Sequence, residues 1–144
     1  MRSRLATLLA SSALLAAPAM SGGFGDYAHE TLEVLVFDHP GRFTGSTVFP
    51  EASDYMATRL GFGGDQVTRQ EFDTSRGPSQ NLLVQMPGQS DDFIVVGAHF
   101  DTAGSFEDLQ GVDDNGSGAA VLTELAAHMS GLETDTGLVF AGFG

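Results

Sequence analysis

One stretch limits the possible folds of this chain more than any other. It runs Phe93-Ile-Val-Val-Gly-Ala-His99-Phe-Asp101, and is followed by Gly111-Val-Asp113-Asp114-Asn115-Gly-Ser117-Gly118 and then by a helical pattern. Phe93 to Ala98 is apolar on both faces, which predicts a central strand of a sheet. Residues i and i+2 of a strand share a face, so His99 and Asp101 converge on one spot where the strand leaves the sheet. From Ser117 onward, Val121, Leu122, Leu125, Ala126 and Met129 fall on one face of an amphipathic helix that stops at Gly131. A strand, a loop and a helix in this order belong to an α/β fold, whose sites form in loops at the carboxyl ends of strands. The expected architecture is a mixed, mostly parallel sheet flanked by helices.

The remaining segments fit that frame. Leu32, Leu35 and Val36 lie at helical spacing within 27–37, and Pro40-Gly41 closes that helix. Arg42 to Thr47 reads as loop. Pro50 and Glu51 open a second helix that ends at Gly61, with Tyr55, Met56 and Leu60 as its buried stripe. Gln66–Phe72 and Asn81–Met86 read as strands, and 136–144 as a further buried strand. His29 and His39 lack a partner at a telling spacing and are expected at the surface. His128, near the end of its helix, is expected to complement the helix dipole.

At 144 residues one domain is expected. Nineteen acidic residues against six basic ones, all Arg, give a formal charge of −13, which argues against a nucleic-acid partner. The absence of cysteine excludes disulfides, thiolate nucleophiles and cysteine-ligated zinc. Arg2 and Arg4 precede an apolar run, Leu5 to Ala17, that is too short to span a bilayer and ends in Ala17-Pro18-Ala19. That is the pattern of a secretory signal peptide, so the protein is expected to be secreted or periplasmic. The expected organisation is a signal peptide over 1–19, a flexible segment over 20–26, and the N-terminal part of a catalytic domain over 27–144. The last expectation rests on an apolar strand running to Gly144 without a polar tail.

Four chemistries compete for the central stretch. Imidazole and carboxylate are ligand types that suit zinc, so His99, Asp101 and Asp114 are candidates for a hydrolytic metal site. Either motif alone has a plainer explanation, a hydrogen-bonded pair or a helix cap with Asn115 or Ser117 at the N-cap. The second chemistry is calcium, since Asp113, Asn115, Ser117, Gly118 and Glu124 fall at EF-hand positions. The approach through Gly104–Gly111, however, lacks an entering helix. A serine hydrolase on Ser117 fails, because Asn115 and Ala119 replace the outer glycines of the nucleophile elbow. A non-catalytic binding domain stays open.

Together, Val95-Val-Gly-Ala-His99-Phe-Asp101-Thr and Gly111-Val-Asp113-Asp114-Asn115-Gly-Ser-Gly resemble the co-catalytic zinc aminopeptidases. These include secreted bacterial leucyl aminopeptidases, with glutaminyl cyclases as relatives. His39-Pro-Gly-Arg42, the helix near residue 55 and Asn81 fit the same resemblance, which covers roughly residues 30 to 144. It implies a peptide substrate, two zinc ions, His99 as a ligand of one, and Asp114 as the bridge between them. Asp101 would hold the His99 tautomer, and the Asp114–Asn115 peptide bond would be cis. The resemblance also implies a general-base Glu in a Glu-Glu pair just past the strand that Leu138–Gly144 resembles, then an acidic and a histidine ligand. None of these lies within the 144 residues, so this chain alone is expected to be inactive. The same resemblance leaves a glutaminyl-cyclase-like acyltransferase as the alternative activity.

Overall fold

The computed structural model describes residues 22–104 and 106–144. The signal-peptide expectation over 1–19 falls outside the described residues. Helix α1 spans Asp26–Phe37 and α2 spans Phe49–Leu60, followed by a short turn over Phe62–Gly64. Strands β1 (Val67–Thr74) and β2 (Gly77–Met86) form a hairpin, and β3 spans Phe93–His99. A wide turn over Val112–Gly116 leads into α3 (Ser117–Met129), and β4 (Gly137–Phe143) completes the element order.

The four strands form one sheet in the order β1-β2-β4-β3. β1 and β2 are antiparallel, as are β2 and β4, whereas β3 runs parallel to β4 with His99 opposite Phe143. The sheet is mixed, as expected, but its parallel share is one pairing of three among the described strands. The core lies between the helices and the sheet. Leu35 of α1, Met56 and Leu60 of α2, Leu122 and Ala126 of α3, Leu82 and Val84 of β2, and Phe140 of β4 form it. The stripe read on α2 faces this core, with Met56 and Leu60 wholly buried and Tyr55 half-buried.

β3 departs from expectation. Its apolar composition predicts a central strand, yet it lies at the edge of the described sheet, with Phe93, Ile94 and Val95 exposed by 42%, 55% and 63%. Periodicity shows which side chains are apolar, whereas a strand's place depends on what pairs beside it, and β4 covers one side only. β2 also starts earlier than expected, at Gly77 rather than Asn81. Pro78 is tolerated there because the pairing with β4 begins only at Leu82, so its missing N–H breaks no ladder bond on that side.

Residues 22–25, part of the segment 20–26 expected to be flexible, make specific contacts. Gly23 donates its N–H to Asp26 Oδ2 at 2.7 Å, Phe24 stacks on His128, and Gly25 donates its N–H to Glu124. His39 is not a surface residue either. It is half-buried against Tyr55, and burial pulls its imidazole below the usual histidine range. His29 is exposed, as expected, but does have a partner in Glu33, 3.5 Å away one turn along α1.

Candidate metal centre

The end of β3 is fixed by alternation. Phe100 is fully buried, stacks on Phe49, and donates its N–H to the Phe143 carbonyl at 2.8 Å. Burying the middle residue turns its neighbours His99 and Asp101 together to the other face, where both are partly exposed. His99 Nδ1 lies 3.1 Å from Asp101 Oδ1 and 3.3 Å from the Asp101 carbonyl oxygen. Both of these are acceptors, so a proton on Nδ1 would satisfy them, and the tautomer then depends on what faces Nε2.

The opposing turn places Asp114. Gly111 opens it at φ +59°, a left-handed conformation where a Cβ would lie 2.6 Å from Thr102 Cγ2. Gly116 donates its N–H back to the Gly111 carbonyl at 2.8 Å, and Asn115 Oδ1 accepts from the Gly118 N–H at 3.1 Å, starting α3. The Asp114–Asn115 peptide bond is cis. Asp114 Oδ1 lies 3.1 Å from His99 Nε2, with its side chain 74% exposed. The three candidates, from two separate segments, meet.

A ring nitrogen and a carboxylate oxygen at that distance share a proton when His99 donates from Nε2, and would suit a shared cation when Nε2 is unprotonated. Zinc bonds to nitrogen and oxygen of about 2.0–2.1 Å place two tetrahedral ligands about 3.3 Å apart, so the observed spacing fits such an ion. Two donors do not complete a site. Among the described residues, no three His, Cys, Asp or Glu side chains gather in a way that could hold a metal ion. Beside Asp114 lies an open depression of about 600 Å³, walled by Phe106, Leu109, Gln110, Val112 and Asp113.

Arg42, read as a loop residue within the His39-Pro-Gly-Arg42 segment, is the largest fully buried side chain among the described residues. Its Nε donates to the Phe100 carbonyl at 2.6 Å. Nη1 donates to the carbonyls of Leu35 at 2.8 Å, Gln110 at 2.7 Å and His39 at 3.3 Å, and Nη2 to that of Gly111 at 3.0 Å. Burial lowers the guanidinium to about 10, against the opposing pull of Asp101, so it stays charged at neutral pH. No sequence signal marked its burial, because all its acceptors are backbone.

Glu124 belongs elsewhere. It accepts N–H groups from Gly25 at 2.8 Å and Ala28 at 2.7 Å, and pairs with His128 Nε2 at 2.9 Å. A carboxylate so engaged cannot close a calcium loop around Asp113, and the calcium alternative falls with it. His128 serves this buried carboxylate as well as standing near its helix end.

With this geometry, residues 81–144 match the model of Peptidase family M28. The resemblance is to the M28 peptidases. YfbL of Escherichia coli K12 is 30% identical over 117 residues, covering 71% of this chain and 36% of that protein. Leupeptin-inactivating enzyme 1 of Streptomyces exfoliatus is 31% identical over 106 residues, covering 72% of this chain and 24% of that protein. Porphyromonas gingivalis glutaminyl cyclase superposes with a TM-score of 0.70 at 25% identity, covering 83% of this chain and 44% of that one. The chain therefore spans less than half the length of each. No helix among the described residues is long and apolar enough to cross a membrane.

Proposed function

We propose that the protein is an exported zinc exopeptidase that removes N-terminal residues from peptides, and that His99 and Asp114 supply part of its metal centre. The observation that supports this most is the convergence of His99 Nε2 and Asp114 Oδ1 at 3.1 Å, with Asp101 Oδ1 3.1 Å from His99 Nδ1 on the other side of the ring. When bound, two zinc ions supply Lewis-acid polarisation of a scissile carbonyl and acidify a water toward neutral pH. The chain's own residues do the rest. Asp101 holds the Nδ1 proton and so keeps Nε2 free to bind, as a carboxylate behind a ligating histidine does. Asp114, largely exposed, presents its carboxylate from the opposite side, where it would help to hold the metal. The depression beside it offers room for a substrate side chain against Phe106, Leu109 and Val112. The signal-peptide pattern supports export.

The test is release of free amino acid from unblocked peptides by the native protein, with and without a chelator, in wild type and Asp114→Ala. The expected outcome is chelator-sensitive release, reduced in the variant by more than the roughly 10–100-fold that loss of a group behind a ligand costs. Full activity in Asp114→Ala would exclude the assignment. A second reading, cyclisation of N-terminal glutamine, is favoured by the glutaminyl cyclase likeness. Ammonia release from glutaminyl peptides, without free amino acid, would select it.

A further inference from the structure

We propose that Arg42 is a positioning residue that sets the His99–Asp101 pair and the Asp114 turn against each other. This rests on the metal-centre reading only for its consequence, not for its geometry. The two segments are separate in sequence and share no ladder. One planar guanidinium reaches both. Its Nε bonds the carbonyl of Phe100, the residue between His99 and Asp101, and its Nη2 bonds the carbonyl of Gly111, which opens the Asp114 turn. The same Gly111 carbonyl accepts the Gly116 N–H that closes the turn. Both glycines pack on the cation, since a Cβ at either would lie 3.2 or 3.1 Å from Nη2. A guanidinium holds its donors in a rigid fork, so the spacing of the two segments is fixed by one side chain. Among the described residues, no carboxylate lies within ion-pair distance of Arg42. Asp101 thus keeps its carboxylate for His99.

Arg59 provides the control. It is also mostly buried, bonds Thr31 Oγ1 at 2.8 Å and the Tyr27 carbonyl at 2.7 Å, and lies over the Tyr27 ring, but it touches neither segment of the site. The experiment uses the native protein as wild type, Arg42→Met, Arg42→Lys and Arg59→Met. Amide exchange is measured on the metal-free proteins and zinc affinity by calorimetry, both well below each melting temperature. In the Arg42 variants the Gly116 amide should exchange more than about tenfold faster by local opening. Zinc affinity should fall about 10–100-fold. Lysine regains charge but not the fork, so it should recover some thermal stability without zinc affinity. Arg59→Met should lose stability and keep both site readouts at wild-type values. Should Arg42→Met not fold, Arg42→Lys carries the test against the same control. Wild-type Gly116 exchange and zinc affinity in a folded Arg42 variant would overturn the proposal, as would their equal loss in Arg59→Met. If no protein, wild type included, binds zinc while the Gly116 difference persists, the positioning role stands and the metal reading falls.

Discussion

Helix α1 is pinned at both ends by a buried charge from elsewhere in the chain, yet the two ends serve different purposes. At its start, Glu124 of α3 accepts two backbone N–H groups, so a carboxylate meets the positive end of the helix dipole. At its finish, Arg42 donates to the carbonyls of Leu35 and His39, so a cation meets the negative end. The Glu124 end stops there, with His128 and Phe24 beside it. The Arg42 end continues into Phe100, Gln110 and Gly111 and so to the candidate centre. The same physical device holds the fold at one end and couples fold to site at the other.

The comparison breaks most easily at Arg42. Arg42→Met strands several buried carbonyls at once, and each unsatisfied group costs about 1–3 kcal/mol. The expected loss of unfolding free energy is at least about 3 kcal/mol, measured by denaturant titration. Glu124→Gln should cost about 1–3 kcal/mol at neutral pH, because an amide cannot accept both N–H groups and His128 as well. It should leave zinc affinity unchanged, in contrast to Arg42.

That second effect has a defined pH dependence. Burial alone raises the Glu124 carboxyl, but the Gly25 and Ala28 N–H groups and His128 outweigh it and hold the group below its ordinary 4.5. The unfolded chain therefore binds the proton more readily than the folded one. The stabilisation is complete above the unfolded value and is lost as pH falls below 4.5 through the depressed folded value. Acid titration of wild type against Glu124→Gln should show the two stabilities converging in that window. A constant difference down to the lowest pH would contradict the assignment.

Smaller changes sharpen the contrast. Asp101→Asn should weaken zinc binding about 10–100-fold while hardly moving the melting temperature, since it touches the His99 tautomer and little else. Smallest of all, His29→Ala, on the exposed face of the same helix, should shift stability by no more than about 0.5 kcal/mol.

The sequence showed the parts whose signals are local. Every helix and strand was readable from periodicity and from Pro and Gly punctuation, and the meeting of His99 with Asp101 followed from strand alternation. Asp114 became legible only when the second motif was set beside the first. What escaped depends on long-range contacts. Arg42 sits in a Pro-Gly-Arg loop that gives no hint of burial, because its acceptors are carbonyls spread from Leu35 to Gly111. Glu124 drew notice only as a calcium-loop position, since nothing on α3 reveals that the start of α1 lies against it. β3 reads as central because its side chains are apolar, and among the described strands only β4 pairs with it.

The central claim is that His99 Nε2 and Asp114 Oδ1 share a zinc ion, and anomalous diffraction at the zinc edge from crystals of the native protein tests it most directly. The account predicts an anomalous peak about 2.0–2.2 Å from both atoms, lost in Asp114→Ala. Zinc-soaked crystals with no peak between these atoms, or with peaks only elsewhere on the surface, would contradict it.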